Sequence, residues 1–361
     1  MSAGEITAEE SRFISTPLIY PVTEAETLPE ELSSESPTQI VDEYLAQVKE
    51  WIRIENPIKA FTPEELTEAA HESIDSKRIG LGNWVYYPWL DTVVRILEEP
   101  LFKQVRTSRN KHKITHQEQE TLQSKVVGIV GLSVGQSAAV TLAMESIGGV
   151  LRLADFDTLD LSNLNRLRAG VHQLGLPKTV LAAREIAQID PYIKIELYHE
   201  GIHDKNASEF LSGLDILVEE CDSLPVKVML RKFAQKMKLP VIMDTSDRGM
   251  VDVERFDKES DRAIFHGRLA PWEGKNPAEF TAEDRRNLLF ALVDYEKTSE
   301  RAKTSFAEIG KTINTWPQLA SAVNLGGALM ADTARRILLD GPVHSGRFYV
   351  DLEALIGGID G

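Results

Sequence analysis

A strand–turn–helix–strand pattern in the middle of the chain constrains its fold more than any other feature. Val126–Val130 is a short run without polar residues, which is typical of a parallel strand buried on both faces. The turn after it is built largely from small residues: Gly131, Ser133 and Gly135. A helical pattern over residues 138–147 then leads to a second apolar run, Val150–Ala154. The sequence therefore predicts an α/β fold with a largely parallel sheet and helices on both faces.

An acidic residue, Asp155, directly follows the second run. In Rossmann-like units, small residues let the backbone approach a phosphate at a helix N-terminus, and an acid about 20 residues on takes the ribose hydroxyls. The glycine signature is incomplete, because Ser133 and Gln136 stand where a strict G-x-G-x-x-G motif has glycine. We therefore predict a Rossmann-like nucleotide-binding unit. From this motif alone, the protein could equally belong to the dinucleotide-binding oxidoreductases.

The segment after Asp155 is more specific. ADFDTLDLSNLNR resembles the D-x-D-x-(V/L)-x-x-S-N-L-x-R segment of the ThiF/MoeB family, adenylating enzymes related to ubiquitin-activating enzymes. The resemblance extends from about residue 106 to residue 341. VEECDSLPVKV and TSDRGMVDVERFD are most similar to a bacterial, molybdopterin-biosynthesis-like branch of the family whose substrate is unsettled.

This resemblance implies an ATP-dependent adenylyltransferase that converts a carboxylate into an acyl-adenylate and releases pyrophosphate. By their places in the family pattern, the expected catalytic residues are Arg109, Asn163, Arg166, Lys178 and Asp222. The expected nucleotide-binding residues are Gly131, Ser133, Gly135, Asp155 and Asp157. Asp222 is also the expected ligand of Mg²⁺. Arg109 is expected to reach the nucleotide of a neighbouring subunit, which implies a homodimer.

The residue types suit this chemistry. Attack on the α-phosphorus of ATP concentrates negative charge on the phosphates, so positioned cations and a metal supply most of the catalysis. Lys178 begins a predicted helix, where a surface lysine is not favoured by the helix dipole, and is better explained as a phosphate ligand. Glu219 and Lys227 stand where the family commonly has an acidic and a basic residue, although a solvent-exposed helix lysine explains Lys227 equally well.

The sequence leaves the substrate and two other protein classes open. The carboxylate is either the C-terminal glycine of a ubiquitin-like or sulfur-carrier protein, a peptide or a small acid. Cys221 lies beside carboxylates, which raise a thiol pKa, so we predict that the acyl group passes to an outside nucleophile rather than to Cys221. A non-catalytic scaffold subunit stays open because Ser133 and Gln136 depart from the family pattern. An NAD- or FAD-binding oxidoreductase has no use for the whole set Asn163, Arg166, Lys178 and Asp222.

Composition limits the partners. The single cysteine rules out an internal disulfide and a cysteine-ligated zinc knuckle, so we expect no zinc. The net charge is −16, and the first 100 residues hold 20 acidic against 7 basic side chains, which disfavours a nucleic-acid partner. No apolar run reaches 18 residues, and the N-terminus lacks a signal-peptide pattern. We expect a cytoplasmic protein that does not bind membranes.

Four segments are predicted along the chain: a loose arm over 1–37, a helical N-terminal region over 38–104, the adenylation domain over 105–345 and a C-terminal strand and tail over 346–361. The arm is rich in Ser, Thr, Glu and Pro. Within the helical region, Thr62 is a predicted N-cap with Pro63 at the first helical position and Glu65 three residues after the cap. Near the C-terminus, the paired glycines 326 and 327 are expected to let the closing helix pack closely.

Overall fold

The computed structural model of the chain describes residues 13–22, 28–29, 32, 37–272 and 280–357. These residues form two compact units. The first contains the described residues up to Glu120 together with Ala183–Ile193, and the second contains Thr121–Ala182 and the described residues from Lys194 onward. Among the described residues, no helix is both long and apolar enough to cross a membrane.

The first unit combines helices with a small sheet. Its elements are β1 (Leu18–Pro21), β2 (Gln39–Asp42), α1 (Tyr44–Glu55), α2 (Pro63–Asp75), β3 (Asn83–Tyr87), β4 (Thr92–Ile96), α3 (Glu99–Arg106) and the start of α4 (His116–Gln123). The strands form a four-stranded sheet in the order β1-β3-β4-β2, in which only β2 and β4 are parallel. The predicted capping box of α2 is present, since Thr62 Oγ1 accepts from Glu65 N at 3.2 Å and Glu65 Oε2 accepts from Thr62 N at 2.9 Å.

The sequence interpretation named this region helical and missed its sheet. The strands have only four or five residues, and β3 is buried on both faces over Trp84–Tyr87, so the sequence shows no polar–apolar alternation. β1 lies within the segment predicted as a loose arm and pairs antiparallel with β3. The rest of that arm falls largely outside the described residues.

The second unit confirms the predicted α/β fold. Its elements are β5 (Val126–Val130), α5 (Gly135–Glu145), β6 (Val150–Ala154), the start of α6 (Lys178–Ile189), β7 (Lys194–Tyr198), α7 (Ala207–Leu211), β8 (Ile216–Glu219), α8 (Leu224–Met237), β9 (Val241–Asp244), β10 (Met250–Glu254), α9 (Ala282–Val293), α10 (Glu300–Glu308), α11 (Ala320–Leu338) and β11 (Gly346–Tyr349). The sheet order is β11-β10-β9-β8-β5-β6-β7. β5 to β9 are parallel, and β10 and β11 add two antiparallel strands at one edge.

The paired glycines of α11 pack closely, as predicted. A Cβ at Gly327 would lie 2.3 Å from Ser137 Oγ, and a Cβ at Gly326 would lie 2.0 Å from Asp244 Oδ2. α11 therefore lies directly against α5 and the end of β9. These contacts place both elements at the edge of the sheet where the parallel strands end, which is where open α/β sheets bind ligands.

Candidate active site

The glycine turn lies against the end of β8. Gly131 has a φ of +87°, and a Cβ there would lie 2.6 Å from the backbone N of Cys221. Only glycine fits this conformation and this approach without displacing the backbone. Gly131 N also donates to Ala154 O at 2.9 Å, which ties the turn to the end of β6. The turn is thereby held at the carboxyl ends of three parallel strands.

The helix that follows the turn is open at its start. α5 begins at Gly135, where a Cβ would lie 2.9 Å from Ile129 Cγ2, and no side chain caps its N-terminus. Backbone amides of the first turn of a helix have no partner within the helix and attract anions. This helix start is therefore suited to nucleotide phosphates.

The two departures from the glycine signature have structural partners. Ser133 Oγ accepts a hydrogen bond from Arg166 Nη2 at 3.0 Å. Gln136 is buried, and its Nε2 donates to the carbonyl of Arg168 at 3.3 Å. Both side chains thus join the turn and α5 to the polar segment that follows β6. A glycine at either position would lose that connection.

Asp155 is buried behind the glycine turn. Its Oδ2 accepts from Leu132 N at 2.6 Å, and its Oδ1 accepts from Asp157 N at 2.8 Å. Burial raises the pKa of Asp155 from its ordinary value, and the two backbone hydrogen bonds oppose that rise. Each carboxylate oxygen keeps a second lone pair, so the ribose hydroxyls could still bind there.

Lys178 is buried at the start of α6 and forms an ion pair with Asp157. The Nζ of Lys178 lies 2.7 Å from Asp157 Oδ2, and only 6% of the lysine side chain is exposed against 51% for the aspartate. Lys178 N also donates to Asp157 O at 2.9 Å. Because an ammonium has three donors, Lys178 can hold Asp157 and still donate to a phosphate oxygen.

Arg166 and Asp222 act on each other electrostatically. Burial lowers the pKa of Arg166, and the carboxylate of Asp222 raises it in opposition. Among the described residues, the buried Nε of Arg166 has no hydrogen-bond partner, although its two terminal nitrogens donate to Ser133 Oγ and Asn165 Oδ1. Arg166 as a whole is half-buried, and a guanidinium that keeps donor capacity is a suitable ligand for an anion.

Asn163 has a local role in the same segment. Its Oδ1 accepts from Asp160 N at 3.0 Å and so caps the short helical turn Leu161–Asn165.

Arg109 is the one expected site residue that belongs to the first unit, where it is exposed in the turn Ser108–Asn110. Its neighbour Arg106 pairs with the buried Asp190 at 2.8 Å.

The residues near Asp222 fit a metal that arrives with a nucleotide. Asp222 is exposed, and it follows Cys221, whose backbone N lies against Gly131. Within the described part of the chain, no three His, Cys, Asp or Glu side chains are grouped to hold a metal ion. Mg²⁺ is commonly bound by one or two carboxylates together with substrate phosphates, so it does not require such a group.

Cys221 is not activated as a nucleophile. It is half-buried, and burial raises the pKa of its thiol, to which Glu219 adds. The thiolate is the reactive form of cysteine, and this setting disfavours it. That Cys221 forms no thioester stays a prediction, which the raised thiol pKa favours.

Two buried carboxyl groups beside the turn were not singled out from the sequence. Asp244 ends β9, and its backbone N donates to Glu220 Oε1 at 2.9 Å. Burial raises the pKa of Asp244 to about 6 and that of Glu220 well above its usual range. In the sequence, the signal that could have indicated Asp244 was an acid directly after the apolar run of β9.

The sequence also left open whether Lys227 is a site residue or an exposed helix lysine. The structure shows that Lys227 is buried against Glu219.

Residues 107–350, about two thirds of the chain, match the model of the ThiF family, and the chain therefore belongs to that family. It is 46% identical to the uncharacterized protein MT1398 of Mycobacterium tuberculosis (strain CDC 1551 / Oshkosh), over 77% of this chain and 39% of that protein. It is 32% identical to the tRNA threonylcarbamoyladenosine dehydratase of Bacillus subtilis, over 41% of this chain and 59% of that protein. It is 33% identical to the molybdopterin-synthase adenylyltransferase of Haemophilus influenzae, over 38% of this chain and 58% of that protein.

The chain thus spans between about two fifths and three fifths of the length of these curated relatives. Among solved structures, the crystal structure of PaaA is similar, with a TM-score of 0.50 and 22% identity over 70% of this chain and 77% of that chain. That likeness concerns the fold alone. Family membership favours an adenylating enzyme over the two alternative classes that the sequence left open.

Proposed function

We propose that this protein is an ATP-dependent adenylyltransferase that activates a carboxylate as an acyl-adenylate. The observation that carries the proposal is the placement of Arg166. Its guanidinium is anchored to the glycine turn through Ser133, interacts with Asp222 and is only half-buried. A cation and an acid beside an uncapped helix start are the groups that binding of ATP with a metal requires.

The chemistry assigns a role to each of the gathered side chains. A carboxylate oxygen of the substrate forms a bond to the α-phosphorus, and the bond from that phosphorus to pyrophosphate breaks. Arg166 and Lys178 neutralise the negative charge that grows on the phosphates, and Asp155 orients the ribose. Asp222 would hold Mg²⁺, which when bound would share that phosphate charge. The attacking carboxylate is already ionised at pH 7, so this step needs no general base.

The acyl acceptor in this proposal is an outside nucleophile, because Cys221 is disfavoured as a thiolate. The carboxylate is the C-terminal glycine of a ubiquitin-like or sulfur-carrier protein, a peptide or a small acid. We further propose a cytoplasmic homodimer in which Arg109 reaches the nucleotide of the partner subunit. This last step rests on the family resemblance of the segment around Arg109.

Nucleotide selectivity tests the proposal. A ligand that binds only the native state stabilises it by about 2.7 kcal/mol at a hundredfold excess over its Kd. We expect ATP with Mg²⁺ to raise the melting temperature and NAD and FAD to leave it unchanged. A rise with micromolar NAD and none with millimolar ATP would reject adenylation in favour of an oxidoreductase. Exchange of labelled pyrophosphate into ATP, measured with a panel of carboxylates, then identifies the substrate class.

A further inference from the structure

A chain of buried charges lies directly beneath the loop that carries Asp222. Glu219 ends β8 with no exposed side-chain surface and receives hydrogen bonds from two cations of α8. Lys227 Nζ donates to both of its oxygens, at 3.0 and 3.1 Å, and Arg231 Nη1 donates to Oε2 at 2.5 Å. Arg231 has no exposed side-chain surface either, and its Nε donates to the buried Glu254 on β10.

The network of buried charges also forms a hydrogen bond with the backbone of the Asp222 loop. Cys221 N donates to Glu219 Oε1 at 2.9 Å, one peptide unit before Asp222. On the other side, Lys227 N donates to Ser223 O at 2.9 Å, which is the first backbone hydrogen bond of α8. The loop is therefore held before Asp222 by Glu219 and after it by the start of α8.

We infer that Glu219 is a positioning residue for Asp222, which it fixes through the amide of Cys221. This inference rests on the proposed function, because it assigns Glu219 to the loop that would present the metal ligand. Asp222 itself is exposed, so the backbone of its loop is what holds it in place. A displacement of about 1 Å in a reacting group can cost about a hundredfold in rate, so the anchor of this loop bears on catalysis.

The energetic cost of burying the Glu219 carboxylate is offset by its hydrogen bonds, so Glu219 can hold the loop as a charged group. An unpaired buried carboxylate is strongly destabilising, whereas this one has two cationic donors and one backbone donor. Those cations hold the pKa of Glu219 below its usual value despite burial. Glu219 thus accepts from Cys221 N as a carboxylate, and charge-assisted hydrogen bonds of this kind are about twice as strong as neutral ones.

Glu254 provides a matched control within the same network. It accepts from the same guanidinium of Arg231, and its other oxygen accepts from Phe265 N. It is also buried, but among the described residues its hydrogen bonds come from Arg231 on α8 and from Phe265 N, and neither comes from the Asp222 loop. A general loss of stability from disturbing the ion network should therefore appear in both Glu254→Gln and Glu219→Gln.

The first test needs no turnover. Hydrogen exchange of the amides of residues 221–223 is compared in nucleotide-free wild type, Glu219→Gln and Glu254→Gln. Loss of one charge-assisted hydrogen bond predicts exchange faster by about tenfold in Glu219→Gln and little change in Glu254→Gln. Equal exchange in wild type and Glu219→Gln, or equal acceleration in both variants, overturns the inference. If Glu219→Gln does not fold, Glu219→Asp, which keeps the charge but shortens the reach, is expected to accelerate exchange in the same way.

The second test separates positioning from binding. In pyrophosphate exchange, Glu219→Gln is expected to lower kcat by about 10²-fold and to raise the Mg²⁺ concentration needed for half-maximal rate. The KM for ATP should stay within about twofold, and Glu254→Gln should keep a near wild-type kcat. Losses of kcat that follow melting temperature in both variants contradict the inference. Wild type that exchanges no pyrophosphate with any carboxylate would reject the proposed function, while the hydrogen-exchange comparison still decides the role of Glu219.

Discussion

Arg166 Nη2 donates a hydrogen bond to Ser133 Oγ at 3.0 Å, between two segments that lie 33 residues apart in the chain. Ser133 occupies a position where the strict glycine signature has no side chain. Serine at this position therefore adds a contact that holds a cation beside the glycine turn. From the sequence, Ser133 left a non-catalytic scaffold open, but its bond to Arg166 fits the proposed adenylyltransferase.

The first prediction concerns this hydrogen bond. Ser133→Ala removes the acceptor and frees Arg166 to move, so we expect kcat for pyrophosphate exchange to fall by about tenfold, in line with a hydrogen bond to a charged group. Ser133→Thr keeps the hydroxyl and should retain most of the rate. Steady-state exchange kinetics on both variants check the prediction. Equal rates in Ser133→Ala and wild type would show that Arg166 does not depend on this contact.

A second prediction concerns the charged pair in the site. Asp222→Ala and Arg166→Ala should each slow acyl-adenylate formation by about 10²–10³-fold, because both groups act on charge that develops in the transition state. ATP affinity, measured by calorimetry, should change far less. Asp247→Ala is a suitable control, since this acid of the next loop bonds Ser299 at the start of α10 instead. An Asp222→Ala protein with unchanged exchange would remove the metal ligand from Asp222 and favour a scaffold.

The third prediction is that the thiol is dispensable. Cys221→Ala should exchange pyrophosphate at close to the wild-type rate, because burial and Glu219 keep the thiol protonated at neutral pH. Mass spectrometry of the protein with ATP and substrate should show no acyl group on Cys221. Loss of exchange in a Cys221→Ala protein that still folds would show that the role of the thiol has been misjudged.

The sequence predicted the second unit well because its signals are local. Apolar runs such as Val126–Val130 and Val150–Ala154 form strands that must be buried on both faces. The glycine turn between them allows few backbone conformations. The small sheet of the first unit was missed because its strands are too short to show a period. Partnerships across the chain, such as Ser133 with Arg166 or Lys227 with Glu219, depend on where the backbone brings distant residues together. Residue type and spacing therefore identified candidates but not their bonds.

A fourth prediction follows from Asp244, whose pKa burial raises to about 6. In the unfolded chain an aspartate has a pKa of about 3.9, so the native state keeps its proton to higher pH. The stability that this difference contributes is complete below about pH 4 and is lost as the pH rises to about 6. At neutral pH the buried carboxylate is charged, and among the described residues its Oδ1 has no hydrogen-bond partner.

Asp244→Asn removes that charge with little change in shape. We expect it to raise the free energy of unfolding at pH 7 by up to about 3 kcal/mol, since each pKa unit corresponds to about 1.36 kcal/mol. The gain should vanish below about pH 4. Urea unfolding at pH 4 and pH 7 measures both values, and Asp222→Asn, at an exposed aspartate, serves as control. An equal gain in the free energy of unfolding at pH 4 and at pH 7 would show that Asp244 does not titrate between these pH values.

The last prediction concerns assembly. If Arg109 acts on the nucleotide of a partner subunit, Arg109→Ala and Asp222→Ala are defects in different halves of one composite site. Mixing the two inactive proteins, with time for subunit exchange, should restore about a quarter of the wild-type rate, because half of the dimers are mixed and each has one intact site. Light scattering should show a dimer at tens of micromolar with ATP present. Mixing Arg109→Ala with Arg109→Lys tests whether exchange alone raises the rate. A monomer that is active, or mixtures that stay inactive although subunits exchange, would place Arg109 outside the active site of a neighbour.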